Sequence, residues 1–126
     1  MEFYCDLHSH SVFSDGTDTP AALVAQAQAQ GLRALALTDH NTAAGLPDFL
    51  AAAERQGIEA VPGVEFSVDY NGTELHILGL YIPVVYFAQV ETLMEQYHRR
   101  KEQSNMELGA ALNRAGYHLD YEKIKQ

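Results

Sequence analysis

The sequence FYCDLHSHSVFSDG at residues 3–16 decides the fold, because a short apolar run leads directly into two histidines. The apolar run predicts a β-strand, and residues separated by one position point to the same face of a strand. His8 and His10 can therefore bind a single ion, and Asp15 follows in a Ser/Gly loop that can fold back towards them. Imidazole and carboxylate ligands together favour a divalent transition metal. A pair of surface or hydrogen-bonded histidines is the alternative interpretation of this short motif.

Length and composition describe a globular chain of one domain. The chain has 126 residues, of which 47% are hydrophobic and 20% are charged, which is enough for a hydrophobic core. It is too short for a complete eight-unit β/α barrel, which needs about 250 residues. The formal net charge of −9 argues against a nucleic-acid-binding protein that uses a basic surface. Several of the acidic residues are candidate metal ligands and would then be locally neutralised.

Cysteine usage and the start of the chain indicate the compartment. Cys5 is the single cysteine, which excludes a disulfide framework and a thiolate metal site, and we expect it to be buried in the first strand. No basic segment followed by an apolar stretch opens the chain, and no apolar run is long enough to span a bilayer. The sequence therefore predicts a cytoplasmic protein with no membrane partner.

A strand–helix–strand unit follows the first strand. Thr19 is a helix-capping residue and Pro20 suits the first helical position. The predicted helix continues from Ala21 to about Gln30 and ends at Gly31. Residues 33–38, RALALT, form a compact apolar run that predicts a strand buried on both faces. This order predicts a βαβ unit with a right-handed crossover.

The second strand ends in polar residues, Thr38-Asp39-His40-Asn41. Active sites of parallel α/β folds gather at the carboxyl ends of their strands. We therefore expect His40 at the same edge of the sheet as His10 and Asp15. A second helix is predicted over about residues 46–56, with Gly57 directly after its end.

A third strand and a hairpin complete the predicted sheet. Residues 58–70 continue as a strand in which Glu65 shares a face with the other polar positions. Asn71-Gly72 is the strongest short hairpin signal, so residues 73–80 should return as an antiparallel strand. Glu65 and His76 can then approach each other from the two sides of the hairpin.

The chain changes character after residue 83. Residues 87 to about 115 have helical periodicity, and Gly116 should end this helix. The basic run HRRK at residues 98–101 is either a solvated helix face or a contact for an anionic substrate. Residues 121–126 predict the start of another element.

The chemistry-bearing residues fall at the predicted strand ends. They are His8, His10, Asp15, His40, Glu65 and His76. Divalent ions about 3.5–4 Å apart can clamp a phosphoryl group and hold a hydroxide for in-line attack, and a carboxylate such as Glu65 is the natural bridge between two ions. No phosphate-binding loop, dinucleotide fingerprint or nucleophile elbow is present. Metal-assisted hydrolysis is the reaction class that these residues favour.

Four motifs together resemble the PHP (polymerase and histidinol phosphatase) family. They are DLHSHS with SDGT at residues 6–11 and 14–17, LTDHNT at 37–42, PGVEFS at 62–67 and HILG at 76–79. Their order and spacing match the family over residues 3 to 82. Within the family, the chain is most similar to small bacterial phosphoesterases that act on AMP, nucleoside 3′,5′-bisphosphates or short RNA 5′ ends.

The resemblance implies an α/β fold, namely the N-terminal part of a distorted (β/α)7 barrel. It also implies up to three manganese, zinc or iron ions, with these ligands: His8, His10 and Glu65 for the first, Glu65 and His76 for the second, and Asp15 and His40 for the third. A metal-bound hydroxide would attack phosphorus, with Asp15, His40 and Glu65 as the catalytic residues. The implied substrate is a phosphorylated small molecule, a nucleotide or a short RNA.

The resemblance also implies a division of the chain. Residues 1–82 would belong to the barrel, and residues 83–126 would begin a helical insertion that covers the active site. Arg99 and Arg100 would then belong to this cap. The chain would end before the remaining barrel strands.

Two later motifs of the family, a further metal-binding histidine and a terminal Asp-x-His, have no counterpart after residue 82. His118-Leu119-Asp120 has the reverse order. We therefore expect the N-terminal portion of a longer protein, weakly active or inactive alone, with exposed strand edges that favour self-association. The alternatives are a non-catalytic, metal-binding structural or regulatory module, and a plain α/β domain whose histidines are structural.

Overall fold

The structure, a computed structural model, describes residues 4–124. Phe3 of the predicted first strand, and Lys125 and Gln126 of the predicted last element, lie outside the described residues. The elements, in chain order, are β1 (Cys5–Asp6), α1 (Pro20–Ala29), β2 (Ala34–Leu37), α2 (Leu46–Gln56), β3 (Glu59–Tyr70), β4 (Thr73–Leu80), a 3-10 turn (Val84–Tyr86), α3 (Phe87–Arg114) and α4 (Tyr121–Ile124).

The chain divides into two compact units, Met1–Thr92 and Leu93–Gln126. The first unit contains the sheet and the helices α1 and α2, and the second contains most of α3 together with α4. The proposed functional division after residue 82, into barrel and cap, stays a prediction.

The four strands form one sheet in the order β1-β2-β3-β4. β1, β2 and β3 are parallel, and β4 returns antiparallel to β3. Helices α1 and α2 pack against each other and against β2 and β3. The predicted βαβ unit and the predicted hairpin are therefore both present.

The hydrophobic core of the first unit lies between this helix pair and the sheet. It contains Val24 of α1, Leu35 and Leu37 of β2, Phe49 of α2 and Val64 of β3, all buried. The apolar run of β2 is buried because it has a strand on each side and helices packed on it. The polar segment that follows this strand, beginning at Thr38, lies beside the middle of β3, where His40 pairs with Glu65.

Helix boundaries follow the local signals in the sequence. The Thr19 side chain accepts a hydrogen bond from the Ala22 N–H, and Pro20 occupies the first turn of α1. Helix α2 ends at Gly57, whose φ of 68° lies in the left-handed region. These caps require only nearby residues, which is why the sequence predicts them well.

The first strand is shorter than predicted, and Cys5 is exposed rather than buried. β1 lies at the end of the described sheet and pairs only with β2 there, so one of its sides has no neighbouring strand. His8 and His10 lie in the segment that follows β1. The Ser9 carbonyl in this segment accepts a hydrogen bond from the Thr38 N–H at 2.9 Å. This bond keeps the segment after β1 beside the end of β2.

The hairpin turns through Asn71 and Gly72, whose φ angles are 54° and 78°. Two successive positive φ angles are typical of the type I′ turn that Asn-Gly favours. This turn sets the register of β4, which pairs Ser67 with His76 and Glu65 with Leu78.

Changing Gly72 to alanine should destabilise the hairpin without any steric clash. Apart from Gly72 and its two chain neighbours, no heavy atom of the described residues lies within 4 Å of a Cβ built at this position, so the cost of about 1–2 kcal/mol comes from the left-handed backbone. Gly72→Asn is the matched control, because asparagine tolerates this conformation better. The free energy of unfolding in urea should fall more for alanine than for asparagine. Equal losses would contradict the turn assignment.

At the other end of the described sheet, β4 pairs with β3 alone. Its side chains Leu75, Ile77 and Leu78 are exposed. An exposed apolar edge strand can pair with another chain. Self-association along this edge stays a prediction.

The second unit is helical. Tyr121 of α4 donates a hydrogen bond from its hydroxyl to Glu102 of α3 at 2.9 Å. Arg99 donates to Glu95 at 3.0 Å, and both side chains are exposed. This pair is one helical turn apart, which favours the solvated-face interpretation of the basic run. Across residues 4–124, no helix combines the length and the apolar character that crossing a membrane requires.

Candidate metal centre

The structure brings all six predicted ligands together beside the carboxyl end of β2, with Glu65 in the middle of β3 and His76 in antiparallel β4. They form three overlapping groups whose ligand atoms lie within 4.8 Å of one another. The groups are His8, His10 and Glu65; His10, Asp15 and His40; and His40, Glu65 and His76. Among the described residues, His98 and His118 belong to no such group. We call the six residues the metal cluster.

Glu65 occupies the centre of the metal cluster. Its Oε2 lies 2.8 Å from Nε2 of His8, 3.1 Å from Nε2 of His10 and 3.7 Å from Nε2 of His40. Its other oxygen, Oε1, lies 3.0 Å from Nδ1 of His76. The two oxygens of one carboxylate thus face different groups of imidazoles, which is the arrangement a bridging ligand needs.

Asp15 joins the metal cluster through the turn that follows His10. Its Oδ1 lies 3.4 Å from Nδ1 of His10, and its Oδ2 lies 3.6 Å from Nε2 of His40. Gly16 permits this turn, because a Cβ there would lie 2.3 Å from the carbonyl oxygen of His10. The predicted fold-back of the Ser/Gly loop is present.

His40 is positioned by a short parallel bridge between the end of β2 and the middle of β3. The Glu65 N–H donates to the Asp39 carbonyl, and the Asn41 N–H donates to the Glu65 carbonyl at 3.0 Å. Asn41 has a φ of 54°, and its side chain hydrogen-bonds both the N–H and the hydroxyl of Ser67. Asn41 therefore fixes the strand containing His40 against the strand containing Glu65.

Electrostatic contacts shift the titration of two members of the metal cluster. Burial raises the pKa of Glu65, but the hydrogen bond to His8 and the charges of His40, His8 and His10 outweigh it and hold the pKa below its ordinary value. The hydrogen bond to Glu74 is the main reason that the pKa of His76 is raised, and Glu65 adds to it while desolvation opposes it. A cation that binds through the His76 imidazole must compete with the proton that this raised pKa favours.

The residues present fit a transition-metal centre. Bonds of about 2.1 Å give ligand separations of roughly 3.0–3.4 Å in octahedral and tetrahedral shells, close to the 2.8–3.7 Å separations around Glu65 Oε2. The buried Nδ1 of His10 has no hydrogen-bond partner among residues 4–124, even though Asp15 lies near it. A buried polar atom without a partner requires an explanation such as an ion. The imidazole and carboxylate donors suit manganese, iron and zinc.

Two residues that organise the site were not predicted to do so. Asp39 is buried and bonds the turn that precedes Asp15, and its only local signal is its place at the end of an apolar run. Glu91 accepts hydrogen bonds from the hydroxyl of Thr42 and the N–H of Ala43, just after His40. Glu91 is distant in the sequence, and no local pattern reveals this contact.

Two bacterial proteins have sequences similar to most of this chain. A 5′-3′ exoribonuclease from Haemophilus influenzae is 38% identical over 120 residues, covering 95% of this chain and 43% of the relative. A 3′,5′-nucleoside bisphosphate phosphatase from Chromobacterium violaceum is 40% identical over 111 residues, covering 88% of this chain and 39% of the relative. The chain thus spans about two-fifths of the length of these two relatives.

A solved structure confirms the predicted fold class. An amidohydrolase from Chromobacterium violaceum, solved with bound sulfate and without metal, superposes with a TM-score of 0.81 at 35% identity. The match covers 94% of this chain and 41% of that one. The described α/β fold is therefore part of the same barrel. Residues 6–121 match the PHP domain, and the chain belongs to the PHP domain family.

Proposed function

We propose that the metal cluster binds divalent transition-metal ions and serves a phosphoesterase that hydrolyses phosphate monoesters of nucleotides. The proposed substrates are AMP, nucleoside 3′,5′-bisphosphates or the 5′ ends of short RNA. The observation that carries the proposal is the convergence of four imidazoles on the two oxygens of Glu65, with Asp15 beside them. The exoribonuclease and the bisphosphate phosphatase named above support the substrate class.

The exposure of the cluster suits the approach of a phosphate from solvent. The side chain of Glu65 is only 7% exposed, whereas those of His8 and Asp15 are 48% and 67% exposed. Glu65 therefore forms the floor, and the more accessible ligands surround the opening. Divalent ions bound here would activate a water molecule and neutralise the charge that develops on the phosphoryl oxygens.

The chain's own residues have distinct roles in this proposal. Glu65 presents Oε2 to His8, His10 and His40 and Oε1 to His76, so its two oxygens would help to hold more than one ion. His40 lies between Glu65 and Asp15. It belongs both to the group with His10 and Asp15 and to the group with Glu65 and His76, so it would link the ion sites of these two groups.

The proposal is tested by measuring metal uptake and phosphate release on the same protein. We expect elemental analysis to find manganese, iron or zinc in the purified chain. Phosphate release from AMP, adenosine 3′,5′-bisphosphate or a 5′-phosphorylated short RNA should stop when a chelator is added and return when Mn²⁺ is restored. The three substrates, compared at equal concentration, identify the one that the protein prefers.

Three results would change the conclusion. Phosphate release that continues in chelator would contradict metal-dependent hydrolysis. Because the chain alone is expected to be weakly active or inactive, metal uptake without turnover of any of the three substrates favours the non-catalytic, metal-binding module only when the full-length protein shows no turnover either. Absence of bound metal would leave only a plain α/β domain with structural histidines.

A further inference from the structure

Asp39 is a buried carboxylate whose side-chain bonds go to the turn after His10. It is 2% exposed. Its Oδ1 accepts hydrogen bonds from the Ser11 N–H at 2.7 Å and the Ser14 hydroxyl at 2.6 Å, and its Oδ2 accepts one from the Ser11 hydroxyl at 2.6 Å. Asp39 belongs to none of the three metal-binding groups of the described residues. Its carboxylate therefore accepts hydrogen bonds from Ser11 and Ser14 instead of serving as a candidate metal ligand.

The segment that Asp39 holds lies between two members of the metal cluster. Ser11 and Ser14 stand between His10 and Asp15, and the Ser11 carbonyl accepts from the N–H groups of Ser14 and Gly16. Ser11 is fully buried, so both its amide and its hydroxyl need partners inside the protein. Asp39 supplies those partners from the end of the strand that precedes His40.

Asp15 depends on this turn for its position. Its side chain is 67% exposed, and the hydrogen bond that it accepts from the Ser14 hydroxyl is long, at 3.4 Å. Contacts of 3.4 and 3.6 Å with His10 and His40 are weak without a shared ion. The backbone of the turn, fixed by Asp39, is thus the main determinant of where the Asp15 carboxylate lies.

We propose that Asp39 is a positioning residue that prepares the group formed by His10, Asp15 and His40 before any ion binds. It ties the turn that bears Asp15 to the strand end that bears His40, so the three ligands are held at short range. Such outer partners commonly change metal affinity roughly 10- to 100-fold when they are altered. The proposal rests on the proposed function only for the identity of the ligand, a divalent ion.

Two substitutions separate charge from hydrogen bonding. Asp39→Asn keeps the size and one acceptor oxygen for the Ser11 N–H, but it loses the negative charge and turns an amide N–H toward a hydroxyl. Asp39→Ala removes the acceptor of the buried Ser11 N–H and the acceptor to which the Ser11 hydroxyl donates, while that hydroxyl keeps the hydrogen bond that it accepts from the Phe13 N–H. We expect the turn to loosen moderately with asparagine and strongly with alanine.

The first measurement is amide hydrogen exchange in the metal-free chain. Exchange at Ser11, Ser14 and Gly16 should accelerate at least about tenfold in Asp39→Ala relative to core amides of β3, because these groups lose a fixed acceptor or a fixed turn. Val24→Ala is the matched control for general destabilisation, since Val24 is a buried core residue of α1. Val24→Ala should accelerate amide exchange throughout the core and should not accelerate exchange in the turn more than elsewhere.

The second measurement is calorimetric titration with Mn²⁺. Asp39→Asn should weaken one class of site roughly 10- to 100-fold and should affect the same step of the titration as Asp15→Asn. Val24→Ala should leave that step unchanged while the protein remains folded. Unaltered exchange in the turn, or a titration of Asp39→Asn equal to that of the unaltered chain, would overturn the proposal.

Failure of the proposed function gives a different result. If the unaltered chain bound no Mn²⁺, the proposed metal-dependent function would fail. Hydrogen exchange in the turn would still decide whether Asp39 fixes the segment between His10 and Asp15. The two conclusions are therefore tested independently.

Discussion

Replacing Glu65 with glutamine should remove most of the metal-binding capacity of the cluster. We expect the affinity for at least one Mn²⁺ to fall by more than roughly 100-fold, the upper end of the loss for outer partners of a ligand. Glutamine retains the size of the side chain but has one oxygen instead of two and carries no charge. It cannot present an oxygen both to His8 and His10 and to His76, as Glu65 does.

The loss should extend to catalysis if the proposed function is right. Phosphate release should fall at least as much as metal affinity, because the bridging carboxylate serves two groups of ligands at once. Calorimetric titration with Mn²⁺ and a phosphate-release assay on the same preparation measure both quantities. Added Mn²⁺ should restore little of the activity.

Glu59→Gln is the matched control for this substitution. Glu59 begins the same strand, is exposed and belongs to no metal-binding group of the described residues. The same chemical change there should leave Mn²⁺ affinity within about twofold of the unaltered chain, as expected for a distant surface charge. Equal effects of the two substitutions would contradict a central role for Glu65.

The second large effect is on stability, at Phe49. Phe49 of α2 is fully buried in the core between the helices and the sheet. Phe49→Ala should lower the free energy of unfolding by about 3–5 kcal/mol, through lost burial and the cavity left behind. Since domains are stable by only about 5–15 kcal/mol, this change should remove a large share of the stability of the first unit.

Urea unfolding followed by circular dichroism measures this change. Tyr70→Ala is the control, because it also removes an aromatic ring, but from a side chain that is 66% exposed. It should change the free energy of unfolding by no more than about 0.5 kcal/mol. A small effect at Phe49 would show that the cavity collapses or that the core of the first unit is loosely packed.

The local elements were predictable because their signals act over a few residues. The Thr19-Pro20 start, the Gly57 end and the Asn71-Gly72 turn each depend on backbone angles and nearby hydrogen bonds. The alternation of β3 likewise predicts which side chains share a face. These signals are sufficient to place Glu65 and His76 on one side of the hairpin, where their side chains meet.

Burial at the end of the sheet was less predictable. Cys5 lies in an apolar run, and the sequence predicts that it is buried. It is exposed because burial depends on which strands and helices lie beside β1, and the sequence of the run itself contains no information about those neighbours. The same limit applies to Glu91, whose contact with the loop after His40 joins residues far apart in the chain.

The sequence by itself determined the order of the elements, the residue types of the candidate ligands and the part of the sheet near which they gather. Only the tertiary structure decided that one oxygen of Glu65 faces His8 and His10 while the other faces His76, and that Asp39 bonds the turn before Asp15 rather than joining the ligands. Periodicity and turn chemistry are local properties of the backbone, whereas these contacts join side chains up to 57 residues apart. Their distances depend on strand register and on packing of the whole unit, which no short stretch of sequence specifies.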